Sequence, residues 1–197
     1  MATFYLIRHA NNDMVGKAIT GWMPGVHLNA DGRTQAERLA RKLQGRPIRR
    51  IYTSPLERAV ETAEAIAKQV GAPLEVREAF TEVPAGEWTG KTYQQLEGDP
   101  RWRRYNENRG GTRIPGGELM LETQTRVVTE LLCLREQHLQ DTIAVVSHGD
   151  PIRAALMYFL GMPMDLFHRI EISTAAFSIL RLEEWGAQVL GVNERAE

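Results

Sequence analysis

One cysteine, Cys133, occurs in 197 residues. A single thiol can form neither an intrachain disulfide nor a cysteine zinc site, and it points to a reducing, cytoplasmic setting. No apolar stretch approaches the length of a membrane span. The start, Met1-Ala-Thr-Phe-Tyr-Leu-Ile-Arg8, lacks a basic segment and a small-residue cleavage site, so it reads as a strand and not as a signal peptide. Charge of one sign is also missing. Lys and Arg number 24 against 25 Asp and Glu, for a net charge of −1, and nothing global argues for nucleic acid or a membrane surface as partner. There is no His-x-x-x-His pair and no carboxylate cluster at ligand spacing, so no metal or cofactor is expected. No Gly-x-x-x-x-Gly-Lys-Ser/Thr loop is present, which argues against P-loop phosphoryl transfer. Internal repeats and low-complexity segments are absent as well.

What is present is an ordinary globular composition, 43% apolar and 25% charged, in a length that suits one domain over 1–197. Cys133, within Leu131-Leu-Cys-Leu134, is expected to be a buried core residue. Strand and helix patterns alternate. A strand at 3–8 precedes a polar, Gly-rich stretch to about 29. Ala36, Leu39, Ala40 and Leu43 then mark a helix face. A strand at 50–53 leads into Ser54-Pro-Leu-Glu57, where Ser54 and Glu57 fit a capping box and Pro55 the first helical position. That helix runs to Gly71, and a short strand follows at 74–77. Residues 80–117 are irregular and rich in Gly, Pro and Arg, a length that suggests a lid or cap. A helix at 118–138, a strand at 142–147 and a helix from Asp150-Pro151 to about Gly161 come next. Segments 174–182 and 188–192 flank a turn at Glu183–Gly186 and form a closing hairpin. This alternation predicts an α/β three-layer sandwich, a mainly parallel sheet with helices on both faces and an antiparallel edge.

Two strands end in histidine: Leu6-Ile-Arg8-His9 and Val146-Ser-His148-Gly149. In an open parallel sheet such tips face the ligand crevice. An imidazole there can act as nucleophile or acid/base, and a neighbouring guanidinium can clamp an anion. Gly149 allows close backbone approach, and the helix that follows offers free N–H groups. Arg58, in the first turn after Ser54-Pro55, either pairs with Glu57 or Glu61 in solvent or reaches the same anion. Glu82, near Trp88 in Phe80-Thr-Glu-Val-Pro-Ala-Gly-Glu-Trp88, is either solvated or a sheltered general acid with a raised pKa. Two histidines, two arginines and a carboxyl suit phosphoryl transfer to imidazole, with arginines neutralising the oxyanion.

In this respect the chain resembles the histidine phosphatase superfamily, the phosphoglycerate mutase-like clan. Leu-Ile-Arg8-His9-Ala10, Tyr52-Thr-Ser-Pro-Leu-Glu-Arg58-Ala-Val-Glu-Thr62-Ala63, Gly86-Glu-Trp-Thr-Gly90, Ile114-Pro-Gly-Gly-Glu118 and Val146-Ser-His148-Gly149 follow the family's order over most of the chain. The resemblance implies His9 as phosphorylated nucleophile, Arg8 and Arg58 as phosphate ligands, Glu82 as proton donor and His148 as the second phosphate-binding histidine. Thr20 and Gly21 resemble the family's small polar residue and glycine beside the phosphate. The chain departs from the pattern at Ala10, where glycine is usual, and at Asn12 and Val15. His27 is expected to be structural, and His138 and His168 to be surface or helix-end residues.

The resemblance implies a phosphomonoester hydrolase acting on a small phosphorylated metabolite, favoured by the compact chain. The alternatives are a mutase on a phosphoglycerate or phosphosugar, and an inactive phospho-ligand binder. Arg101, Arg103, Arg104, Arg109 and Arg113 either hold a second anionic group or form a solvated basic face. Trp88, Trp102 and Tyr105 either line a pocket or pack the lid. Family members are often dimers, so a homodimer is admitted, with no interface marked in the sequence.

Overall fold

Side-chain alternation along the strands sets the layers. In β1 (Ala2–Arg8), Phe4 and Leu6 enter one core, and Tyr5 and Ile7 enter the other. β2 (Ile48–Thr53) and β3 (Leu74–Val76) follow, and β4 (Thr142–Ser147) repeats the division, with Ile143 and Val145 facing one way and Ala144 and Val146 the other. Strands that are apolar on both faces need helices on both faces. The computed structural model, which describes residues 1–196, shows this arrangement in a six-stranded sheet. With β5 (Ala176–Leu182) and β6 (Ala187–Arg195), the strand order is β3-β2-β4-β1-β5-β6. The first four strands are mutually parallel, and β5 and β6 add the antiparallel edge expected of the hairpin.

α1 (Ala30–Leu43) and α2 (Glu57–Val70) cover one face through Leu39, Leu43, Ala59, Ala63 and Ile66. Gly71 closes α2 in the left-handed region, φ +73°, and donates its N–H to the Ala67 carbonyl at 2.9 Å. α3 (Tyr93–Leu96) and α4 (Pro100–Glu107) lie in the long connection, and α5 (Met120–Gln137) and α6 (Gly149–Phe159) cover the other face. β4 sits between β1 and β2, so the chain reverses direction across the sheet beside β1. The crevice therefore opens at the tips of β1 and β4, where Arg8 and Ser147 are register partners.

Three local expectations are corrected. The capping box at Ser54 does not form: the N-cap of α2 is Leu56, and no side chain caps it. The Ser54 hydroxyl is engaged with His148, the Glu57 carboxylate accepts the Gly25 N–H, and the Ser54 N–H that a capping box would use donates to the Val146 carbonyl. Cys133 is exposed. α5 buries Val127, Leu131 and Leu134, and a residue two positions past Leu131 lies about 200° around the helix from it. Residues 80–117 are more regular than expected. Thr92 and Gln95 form a capping box for α3, and Asp99 accepts the Arg101 N–H at 2.8 Å to start α4 with Pro100 in its first turn. Both signals stand in the sequence as Thr-x-x-Gln and Asp-Pro.

Candidate active site

Backbone hydrogen bonds bring the strand tips together. The His9 N–H donates to the Ser147 carbonyl at 2.9 Å, and the Ser54 N–H donates to the Val146 carbonyl at 2.9 Å. The residues after β1, β2 and β4 therefore share one corner. Thr62 ties the corner to α2: its hydroxyl donates to the Arg58 carbonyl at 2.7 Å and accepts the Ala10 N–H at 3.0 Å. Ala10 is fully buried and is absent from the few non-glycine residues with positive φ, so glycine's conformational freedom is not required there.

His9 is buried, and its Nδ1 lies 2.8 Å from the Ala10 carbonyl. A carbonyl only accepts, so Nδ1 carries the hydrogen and Nε2 keeps its lone pair. Burial, then the charges of Arg8 and Arg58, push this histidine well below its ordinary range, so the ring is neutral at pH 7. His148 is fully buried and is likewise pushed well below its ordinary range by burial and by Arg58. Its Nε2 is 2.7 Å from the Ser54 hydroxyl. That hydroxyl accepts the Leu56 N–H at 3.3 Å and has no acceptor among the described residues other than His148 Nε2 for its own hydrogen, so it donates there and the neutral ring carries its N–H on Nδ1. This Nδ1 has no protein partner.

Arg58 is 1% exposed and pairs with neither Glu57 nor Glu61. Its Nη2 donates to the Gly21 carbonyl at 2.9 Å, and its Nε and Nη1 are buried without partners. Arg8 is held by Nη1 on the Ile172 carbonyl at 2.7 Å, with Nε again unpartnered. Buried guanidinium N–H groups are expensive to leave unpaired, and an oxyanion is the ligand that satisfies several at once. Gly21 has φ +47°, and a Cβ there would lie 2.8 Å from the Ala85 Cβ, so the backbone that receives Arg58 demands glycine.

A cavity of ≈ 340 Å³ opens at this corner. Arg8, His9, Thr20, Gly21, Glu82 and Gly149 are on its wall, whereas Arg58 and His148 are not. They reach it through Gly21 and His9. Burial raises the Glu82 carboxyl to about 7, the Asp150 charge adds to the rise, and Arg58 and Arg8 oppose it. Trp88 shares the wall with Glu82 and packs against Trp102 and Tyr105, at 5.2 and 5.3 Å between ring centroids. All three aromatic rings line the cavity. Arg126 of α5 positions the segment that carries Glu82. Its guanidinium donates to the carbonyls of Ala79 at 2.7 Å, Thr81 at 2.8 Å and Glu82 at 3.0 Å. The Trp22 indole N–H also donates to the Glu82 carbonyl.

The arginine cluster divides. Arg109 is buried on the cavity wall. Arg101 is exposed and bound to Asp99 and Glu87, Arg113 is exposed and bound to Glu122, and Arg103 and Arg104 are exposed. His27 is exposed and paired with Glu61, and His138 caps the end of α5 beside the Tyr52 hydroxyl at 2.7 Å. His168, exposed in a 3-10 turn, nonetheless lines the cavity beside Arg109. Asp150 and Arg153, absent from the residues singled out by sequence, also line it. Their i, i+3 spacing at the start of α6, directly after His148-Gly149, is the signal that could have found them. Among the described residues, no group of three His, Cys, Asp or Glu could hold a metal ion.

Sheet order, helix layers and strand-tip crevice define an α/β protein of the phosphoglycerate mutase-like class. Residues 4–195 match the histidine phosphatase superfamily (branch 1), and the chain belongs to that family. It is 29% identical over 195 residues to phosphoserine phosphatase 1 of Hydrogenobacter thermophilus, covering 98% of this chain and 92% of that one. It is 30% identical over 197 residues to phosphoglycerate mutase-like protein 4 of Arabidopsis thaliana, covering 96% and 85%. The structure of Bacillus stearothermophilus YhfR superposes with a TM-score of 0.92 at 25% identity over 98% of each chain.

Proposed function

We propose that this protein is a phosphomonoester phosphatase that acts on a small phosphorylated metabolite through a phosphohistidine at His9. The observation that carries the reading is the state of His9: a neutral ring with its Nδ1 hydrogen bound to Ala10 and its Nε2 lone pair free. Beside it stand buried arginine N–H groups without partners.

In the first step, His9 Nε2 attacks phosphorus, the P–N bond forms and the P–O ester bond breaks. The leaving oxygen takes its proton from the Glu82 carboxyl, which a pKa near 7 keeps available. Arg8, Arg58 and the His148 Nδ1–H neutralise the equatorial oxygens, so charge is balanced by fixed donors and no metal is required. In the second step, water gives its proton to the Glu82 carboxylate and attacks phosphorus, and the P–N bond breaks to release phosphate. Thr20, Gly21 and the Gly149 N–H at the start of α6 complete the phosphate end. Residues 80–117 act as a cap over the leaving group, a role supported by the shared wall of Trp88, Trp102 and Tyr105. A single, unpaired cysteine fits a cytoplasmic location.

The likeness to a phosphoglycerate mutase-like protein favours a second reading, a mutase. One assay separates the two. With an aryl phosphate in chelator, wild type is expected to turn over and to carry an acid-labile phosphoryl group, and His9→Ala to do neither. Absence of turnover and labelling on a broad phosphometabolite panel would sink both enzyme readings. Rapid phosphate exchange between glycerate positions, with little free phosphate, would favour the mutase.

A further inference from the structure

β6 is the outer strand of the sheet, and phosphoryl transfer gives it no role. Its pairing with β5 is interrupted at one point. Phe177 pairs with Glu194 and Ile179 with Gly191, so Ser178 alone stands opposite both Val192 and Asn193. Two residues against one make a β-bulge, a device that re-aims a side chain. Asn193 is left-handed there, φ +57°, a conformation that asparagine tolerates better than most residues. Its N–H donates to the Ser178 hydroxyl at 3.1 Å. Its side chain closes on the chain just before β5: Oδ1 accepts the Ser173 N–H at 2.7 Å, and Nδ2 donates to the Ser173 hydroxyl at 3.3 Å. Arg195 Nη2 donates to the same hydroxyl at 2.7 Å, and the hydroxyl hydrogen goes to Glu171 at 3.1 Å. The Ser173 carbonyl accepts the Ala176 N–H at 3.3 Å, so every polar group of Ser173 is engaged.

The residues on either side of Ser173 hold Arg8. Among the described residues the Arg8 guanidinium has one hydrogen-bond partner, the Ile172 carbonyl at 2.7 Å, and no carboxylate pairs with it. The Ala175 N–H is shared between the carbonyls of Arg8 at 3.2 Å and His9 at 3.3 Å. Ala175 stands at φ +53°, a conformation that costs a residue with a Cβ and persists only where the surroundings impose it. Segment 172–175 therefore grips Arg8 by its side chain and its backbone, and the edge strand grips the segment at Ser173. Arg58 is fixed separately, by the Gly21 carbonyl.

We propose that Asn193 is a positioning residue for the phosphate site: by locking Ser173 it fixes the Ile172 carbonyl, and through that carbonyl the direction in which the Arg8 guanidinium faces the phosphoryl oxygens. This rests on the phosphatase reading, in which Arg8 is a phosphate ligand, and adds to it a residue that touches neither substrate nor His9. A guanidinium recognises an oxyanion through planar, directional N–H groups, so a small rotation of Arg8 weakens its hold on the phosphoryl group.

A double-mutant cycle in kcat/KM for an aryl phosphate tests the tie. Asn193→Gly keeps the left-handed backbone, which glycine adopts freely, and removes the side chain. It is expected to lower kcat/KM about tenfold in wild type and in Arg58→Met, and to have almost no further effect in Arg8→Met, where no guanidinium is left to position. Ser173→Ala, which removes the hydroxyl alone, should give the same pattern at smaller size and carries the test if Asn193→Gly does not fold. No loss in wild type, or an equal loss in the Arg8→Met and Arg58→Met backgrounds, would overturn the proposal while His9-dependent turnover still stood. If wild type turns over no phosphomonoester, the phosphatase reading fails, and the same cycle is read in the affinity for inorganic phosphate. There a loss confined to the backgrounds that keep Arg8 upholds the tie, whereas an equal loss in both, or no phosphate binding, overturns it.

Discussion

The rings of His9 and His148 lie 5.1 Å apart between centroids and are inclined by 59°. Two imidazoles this close cannot both be charged beside Arg8 and Arg58, and both are pushed towards the neutral form. The pair therefore offers one free lone pair, on His9 Nε2, and one free N–H, on His148 Nδ1. Inorganic phosphate is expected to bind here and raise the melting temperature, by about 2.7 kcal/mol of stability at a hundred times its dissociation constant. His148→Ala and Arg58→Met should abolish most of that shift. A full shift in either variant, measured by thermal melting with and without phosphate, would place the anion elsewhere.

Glu82 makes the pH dependence directional. As an acid with a pKa near 7, it delivers its proton below that pH and loses it above. Turnover of alkyl phosphates should fall as pH rises through 7, whereas aryl phosphates, with better leaving groups, should be much less affected. Glu82→Gln should slow alkyl esters 10²–10³-fold, within the range for general acid catalysis. The same group titrates near 4.5 when unfolded and near 7 when folded, so stability falls as pH rises between those values. The penalty, on the order of 3 kcal/mol, is complete above pH 7. Glu82→Gln should therefore stabilise the protein at pH 8 more than at pH 5, a comparison read directly from urea titrations.

Arg126 holds three carbonyls of the Glu82 segment at once. Arg126→Gln would leave those carbonyls under-satisfied, with an expected loss of about 1–3 kcal/mol. Because the carboxyl is displaced and not removed, alkyl phosphate turnover should fall more than aryl phosphate turnover. An equal fall in both would mean that Arg126 supports folding alone.

Ser54 bridges the Leu56 N–H and His148 Nε2. Ser54→Ala removes that bridge and lets the His148 hydrogen occupy either nitrogen. Phosphate affinity is expected to weaken about tenfold, while α2, which no side chain caps, should keep its helicity in circular dichroism. Unchanged phosphate affinity would show that Ser54 does not set the tautomer.

Much of this was legible along the chain. The unbroken apolar runs Phe4–Ile7 and Ile143–Val146 mark both buried strands, and Arg8-His9 and His148-Gly149 fall at their tips. The spacing of Ala59, Ala63 and Ile66 and the closing Gly71 locate α2. Other features were misleading because two local signals competed or a distant partner intervened. Ser54-Pro-Leu-Glu57 has the composition of a cap, yet a histidine far along the chain claims the hydroxyl. Leu-Leu-Cys-Leu134 is apolar throughout, and only the rotation of α5 against the sheet turns Cys133 outward.

The sequence by itself determined the layers, the strand tips and the residue types that meet there, because strand and helix periodicities are local and apolar faces must be buried. Tertiary structure alone decided which His9 nitrogen stays free, why Glu82 titrates near 7, and that Arg109 faces the cavity while its four neighbouring arginines do not. Those outcomes depend on through-space partners such as Ser54 and His148, 94 positions apart, and on burial that exists only once both cores have closed.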